Sequence, residues 1–148
     1  MFSDLTPEGK RYFAELKKLE KLEVQVGYWR GEKAYDDGAE LVDIAAFNEL
    51  GTSTIPARPF MKQSFENHES DLQGACDTVN ALISNGSTAE QALVTLGDFC
   101  KALVQDEIID GGFEPNAPST IRKKKSERPL IATAHMRQSV DFKIKKRK

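Results

Sequence analysis

Cysteine is scarce in this 148-residue chain. Cys76 and Cys100 are the only two, too few for a disulfide framework. Histidine is equally scarce. A zinc site would need both cysteines with His68 and His135, at separations of 8, 24 and 35 residues, and none of these is a paired-ligand spacing. No apolar run approaches the roughly 18 residues of a membrane span. The opening Met-Phe-Ser-Asp-Leu-Thr-Pro lacks the basic flank and apolar core of a secretory signal, so a protein made and kept in a cytosol is expected. Gly51-Thr-Ser-Thr is not followed by the Gly-Lys-Ser/Thr of a phosphate loop. The aromatic residues interleaved with bases that mark an RNA-binding sheet are missing, and no internal repeat recurs. Nothing in the chain assembles a nucleophile, a base and an oxyanion donor, so neither catalysis nor a cofactor is expected.

What is present is an ordinary globular composition, 39% apolar and 30% charged, with a steep charge asymmetry. The net charge is only −2, yet residues 119–148 hold 11 bases and two acids, giving +9. The first 118 residues carry −11. An acidic body with a basic end points to a partner or to neighbouring copies of the same chain. The length suits one domain, read as 1–145, with 146–148 as a basic C-terminal tail.

The elements follow from spacing and punctuation. Thr6-Pro7-Glu8 opens a first helix with a hydroxyl cap, a proline and an acid at the positive end of the dipole, and Tyr12, Phe13, Leu16 and Leu19 form its stripe. From Glu23 the period changes to two, predicting a strand over 23–29, followed by a polar loop over 30–38. A short helix from Asp37 or Gly38 carries Leu41, Val42, Ala45, Ala46 and Leu50 on one side and ends at Gly51 as an αL cap. After a proline-containing loop, Pro59 opens a third helix. There Met61, Phe65, His68, Leu72, Ala75, Val79 and Leu82 repeat like a heptad seam as far as about Ser84. Asn85-Gly86 stops it, and Ser87-Thr-Ala-Glu90 reads as a capping box for a fourth helix running to Gly111, so the two form an antiparallel hairpin. A small helix capped by Thr133 precedes a second strand over 139–145. The fold class is α+β: a small antiparallel sheet against a long antiparallel helical hairpin, with the N-terminal helix alongside.

The candidate chemical groups favour plain roles. His68 lies on an apolar seam with no nucleophile at a defined spacing. His135 has Ser139 one turn on but no nucleophile elbow and no third group. Cys76 and Cys100 fall on apolar faces and read as small buried hydrophobes. Asp106, Glu107 and Asp110 sit at a helix C-terminus without loop ligands, and read as a solvated or partner-facing acidic patch.

Two segments resemble a known family. The first joins Val26-Gly27-Tyr28, Ile44-Ala-Ala-Phe-Asn-Glu-Leu-Gly-Thr52 and Ile55-Pro-Ala-Arg-Pro-Phe-Met61. The second joins Phe113-Glu-Pro-Asn-Ala-Pro-Ser-Thr120, a basic stretch, and Pro129-Leu-Ile-Ala-Thr133 through Val140. Together they resemble the tail-completion, or head–tail joining, proteins of long-tailed bacteriophages, over roughly half the chain. Ala132, Ala134 and Met136 depart from the acid, glycine and leucine usual in that family's C-terminal module.

The resemblance implies a structural virion protein of the neck, without enzymatic activity, in the host cytoplasm before assembly. Copies would form a ring, as a hexamer, between the head-closing connector and the tail terminator or tail tube. DNA would pass through the lumen without sequence-specific binding, and no membrane is involved. The alternatives are a tail terminator ring, or a phage nucleic-acid-binding accessory protein acting through the basic segment. Gly51 and Pro59 bracket a rigid corner that pins Arg58 and Phe60. Phe60 is expected to be buried, while Arg58 either reaches back to Glu49 or faces a neighbouring subunit. Arg122, Lys123, Lys124, Lys125, Arg137, Lys143 and Lys145 complete the candidate interaction residues. Loops 30–38 and 51–58 and the tail are expected to order when neighbours supply surface.

Overall fold

A computed structural model describes residues 5–31, 40–110 and 134–148, excluding the side chains of Asp110, Ala134 and His135. The fold is α+β: helices α1 (Pro7–Glu20), α2 (Leu41–Leu50), α3 (Phe60–Glu66), α4 (Glu69–Ser84), α5 (Ala89–Asp110) and α6 (Ala134–Ser139), with strands β1 (Leu22–Gly27) and β2 (Asp141–Lys146). The strands pair as a two-stranded antiparallel sheet. Two compact units emerge. One draws its described residues from Met1–Val26, Ser70–Cys100 and Phe142–Lys148, the other from Gly27–Glu69 and Lys101–Asp141.

In the first unit, α1 starts as its sequence dictates. Thr6 Oγ1 accepts the Gly9 N–H at 3.1 Å, and Pro7 takes a position where no amide hydrogen is needed. The hairpin of α4 and α5 buries Val79, Ile83 and Ala92, with Tyr12, Leu19, Leu82 and Leu96 packed against them. The turn is a Schellman motif: the Gly86 N–H donates to the Ile83 carbonyl and the Ser87 N–H to that of Leu82. The capping box falls one residue later than expected. Thr88 and Gln91 bond reciprocally at 3.0 and 3.1 Å, because α5 begins at Ala89.

Helix α1 clamps this turn with a pair one turn apart. The Arg11 guanidinium donates to the carbonyls of Ile83 and Ser87, at the negative end of α4. The buried Glu15 carboxylate accepts the Ala89 N–H at 2.9 Å, at the positive end of α5. Each charge meets the dipole end that favours it. That backbone donor holds the Glu15 carboxyl below its ordinary value, against the opposing effect of burial.

Strand β2 lies on α5 through Phe142, whose ring occupies the space a Cβ on Gly97 would take, only 2.2 Å from the nearest ring carbon. The expected alternation holds: Phe142 and Ile144 are half-buried, while Lys143 and Lys145 are exposed. Strand β2 runs through Lys146, past the expected boundary at 145. The Arg147 N–H donates to the Lys21 carbonyl at 2.8 Å and its side chain to that of Glu20 at 3.3 Å, so the tail is tied down without a neighbour.

In the second unit, Leu41, Ala45, Phe60, Leu103, Val104, Ile108, Met136 and Val140 are buried. Removing each large side chain from water contributes about 1.5–3 kcal/mol. Tyr28 sets its ring edge-on to Phe60, with centroids 6.4 Å apart, and its hydroxyl donates to the Met136 carbonyl at 2.8 Å. The single helix expected from Pro59 to about Ser84 is broken at Asn67 and His68 into α3 and α4. Ser64, fully buried, turns its hydroxyl back to the Met61 carbonyl at 2.7 Å, and His68 faces the buried Glu107 at 3.8 Å. Of the expected seam only Val79 is buried, and Ile83, outside it, is buried completely.

Candidate interaction surface at the α2–α3 corner

The residues between Asn48 and Lys62 form a corner held from within. Gly51 closes α2 with φ +77° and ψ 165°, so it is a positive-φ cap but not the αL cap expected. A Cβ there would stand 2.9 Å from the Ala57 amide nitrogen, so the returning loop also needs glycine. The loop is closed by its own bonds. The Thr52 N–H donates to the Ile55 carbonyl at 2.8 Å, and Thr52 Oγ1 accepts the N–H groups of Thr54 and Ile55 at 3.2 and 3.0 Å. These bonds all lie within the chain.

Arg58 neither reaches Glu49 nor faces outward. It is buried, its N–H donating to the Asn48 carbonyl at 2.6 Å and its guanidinium to Asn48 Oδ1 at 3.4 Å. Asn48 is buried as well, and its amide nitrogen donates to the Ile44 carbonyl at 2.9 Å. Glu49 instead caps the next helix. Its carboxylate accepts the N–H groups of Met61 at 3.3 Å and Lys62 at 2.9 Å, where the α3 dipole favours an anion. Burial raises its pKa above the ordinary carboxyl value, and these donors only partly offset that. Pro59 is the residue before α3 rather than its first member, and Phe60 is buried as expected.

The outward side of the corner is apolar. Leu41, Ala45 and Asn48 form the buried stripe of α2, while Ala46 is exposed, Phe47 is 49% exposed and Leu50 is 77% exposed. At about 100° per residue, Ala46, Leu50, Asp43 and Phe47 share one arc of the helix. Of the five apolar residues that the sequence groups on one side of this helix, Leu41 and Ala45 are buried, Val42 is half-buried, and Ala46 and Leu50 are exposed. Helix α2 is apolar nearly all round, so periodicity alone cannot choose its face. Asp43 is engaged by Arg30, whose guanidinium bonds both its carboxylate oxygens at 3.2 Å and Glu40 at 2.8 Å. These bonds raise the Arg30 pKa and hold the chain just after β1 to the start of α2.

The remaining candidates lie outside the corner segment in the chain. Arg122, Lys123, Lys124 and Lys125 lie outside the described residues, as do 32–39, Thr133 and the His135 side chain. Arg137 is half-buried on α6, with its carbonyl accepting from Gln105 at 3.1 Å. Lys143 and Lys145 are on β2, in the other unit from the corner for their exposed face. Of the acidic patch, Asp106 is exposed but Glu107 is buried. Of the cysteines, only Cys100 is buried, and burial pushes its thiol up; Cys76 is exposed. Among the described residues no three His, Cys, Asp or Glu side chains converge as metal ligands, and no helix is long and apolar enough to cross a membrane. Comparison with protein-family models, curated proteins and solved structures found no match.

Proposed function

We propose that this chain is a structural protein of the bacteriophage neck, whose copies form a ring joining the DNA-filled head to the tail. The observation that carries the reading is the α2–α3 corner. Within it, the residues that resemble the tail-completion family are those that give the corner its shape: Glu49 as a cap, Gly51 as the turn, Arg58 and Phe60 buried. Held rigid from inside, the corner presents Ala46, Phe47 and Leu50 outward. A contiguous apolar arc on a preformed surface suits burial against another chain, at little ordering cost.

Function here is assembly rather than chemistry. A nonsense allele of the gene, followed by electron microscopy of the lysate, tests it. DNA-filled heads and finished tails lying unattached are the expected result. Normally joined particles would overturn the reading, and tails of abnormal length would replace it with a tail terminator. DNA binding by the purified protein that weakens steeply with salt would favour the nucleic-acid accessory role instead.

A further inference from the structure

Within the first unit, which ends at Cys100 on α5, the hairpin carries charge of one sign. Between Lys62 and Lys101 the chain has no lysine or arginine, and the four acids on α4 and α5 within the first unit, Asp71, Asp77, Glu90 and Asp98, are all exposed. Along one side the two helices leave a crevice of about 220 Å³ floored by Ala75, Thr78, Thr95, Leu96 and Phe99. That is smaller than the roughly 300–1,000 Å³ of a small-molecule pocket. Its lining has no charged group, and the Thr78 hydroxyl is engaged by the Gly74 carbonyl at 3.1 Å, so it suits inserted side chains. Asp71 stands one turn before Ala75, and Asp98 borders Thr95 and Phe99, giving the apolar floor an acidic rim.

The complementary charge is in the same unit. Lys145, Lys146 and Lys148 are exposed at the end of the chain. Their own strand is committed elsewhere, with Phe142 on Gly97 and Arg147 bonded to Lys21 and Glu20. At about 100° per residue, Gly97 points about 150° away from the mean direction of Thr95, Leu96 and Phe99. A basic strand end reaching the crevice therefore comes from another molecule.

We propose that the α4–α5 crevice docks the C-terminal end, residues 145–148, of a second copy of this chain. The lysine stems lie on the apolar floor and their ammonium groups meet Asp71 and Asp98. Two different patches on every copy make the contact head-to-tail, the kind that closes into rings or extends into filaments. The inference rests on the reading of the chain as an assembly of copies, though not on its place in a phage neck.

The test uses the full chain carrying benzoylphenylalanine in place of Thr95, as a mixture of unlabelled and ¹⁵N-labelled copies, with the photo-crosslinks mapped by mass spectrometry. Crosslinks from Thr95 of one copy to residues 145–148 of another are expected at low salt. They should be lost near 1 M salt, where screening shortens to about 3 Å, and lost with Lys145→Glu, Lys146→Glu and Lys148→Glu together. Adding Asp71→Lys and Asp98→Lys to that triple variant should restore them. Crosslinks within one copy, crosslinks to another surface, or none at low salt would overturn the proposal. Should a charge variant fail to fold by circular dichroism, the map from the chain with native charges decides. Joined particles from the nonsense allele would remove the neck reading and leave this contact standing; a missing crosslink alongside unattached heads and tails would remove only the contact.

Discussion

Gly51 and Gly74 are the same residue in settings that demand opposite outcomes. At Gly51 the backbone has φ +77° and a Cβ would meet the Ala57 amide nitrogen at 2.9 Å, main chain that cannot swing aside. Gly51→Ala is expected to cost about 1–3 kcal/mol. Gly74 is inside α4 with nothing within 4 Å of its would-be Cβ, so Gly74→Ala should stabilise by about 0.5–1 kcal/mol. Urea unfolding of the two variants reads both, and equal shifts would show that the corner is not built as described. Arg58 makes a related point. Its burial beside Asn48 ties a motif arginine to the shape of the corner.

Between elements, the two capping carboxylates titrate in opposite senses. Glu15 is held below the ordinary carboxyl value by the Ala89 N–H, so it binds protons less readily folded than unfolded. Its contribution is complete above the unfolded value of about 4.3 and is lost as pH falls through its lower folded value. Glu49 is raised by burial, so the folded state binds its proton more tightly, and stability falls as pH rises from the ordinary carboxyl range through the raised value. Stability-versus-pH curves should therefore change in opposite directions. Glu15→Gln should flatten the acid limb of the curve, and Glu49→Gln should remove the decline above about pH 4.3. Matching effects of the two variants would contradict the cap geometry. Arg11 and Glu15 also explain how a four-turn helix secures a hairpin more than 70 residues away: one turn of α1 serves the carbonyl end of α4 and the amide end of α5 at once.

For the whole molecule, the proposed role can be tested apart from folding at the apolar arc of α2. Replacing Phe47 and Leu50 by serine, Phe47→Ser with Leu50→Ser, should leave the urea midpoint of the isolated chain within the equivalent of about 0.5 kcal/mol, as exposed sites do. The same pair should fail to rescue the nonsense allele, leaving heads and tails unattached. Loss of the folded chain would mean the arc belongs to the core, and full rescue would mean no partner uses it. The charge asymmetry also becomes more specific at this scale. Of the acidic first 118 residues and the basic last 30, one unit holds an acidic part, Asp71, Asp77, Glu90 and Asp98, and a basic part, Lys145, Lys146 and Lys148, and the proposed contact would pair these between copies.

The sequence by itself determined the α+β class, the start of α1, the Asn85-Gly86 stop and the in–out alternation of β2, because caps, turns and period-two patterns depend on residues within one or two turns of each other. It also marked the corner, since Gly51 and Pro59 punctuate the chain locally. Tertiary structure alone decided which face of α2 is buried, that Asn48 rather than Glu49 holds Arg58, that Glu15 goes inside, and where the helix expected over 59–84 breaks. Each of those outcomes turns on a partner far along the chain or on a burial shared among many side chains. The Arg11–Ser87 and Tyr28–Met136 bonds, 76 and 108 residues apart in sequence, are contacts of that kind.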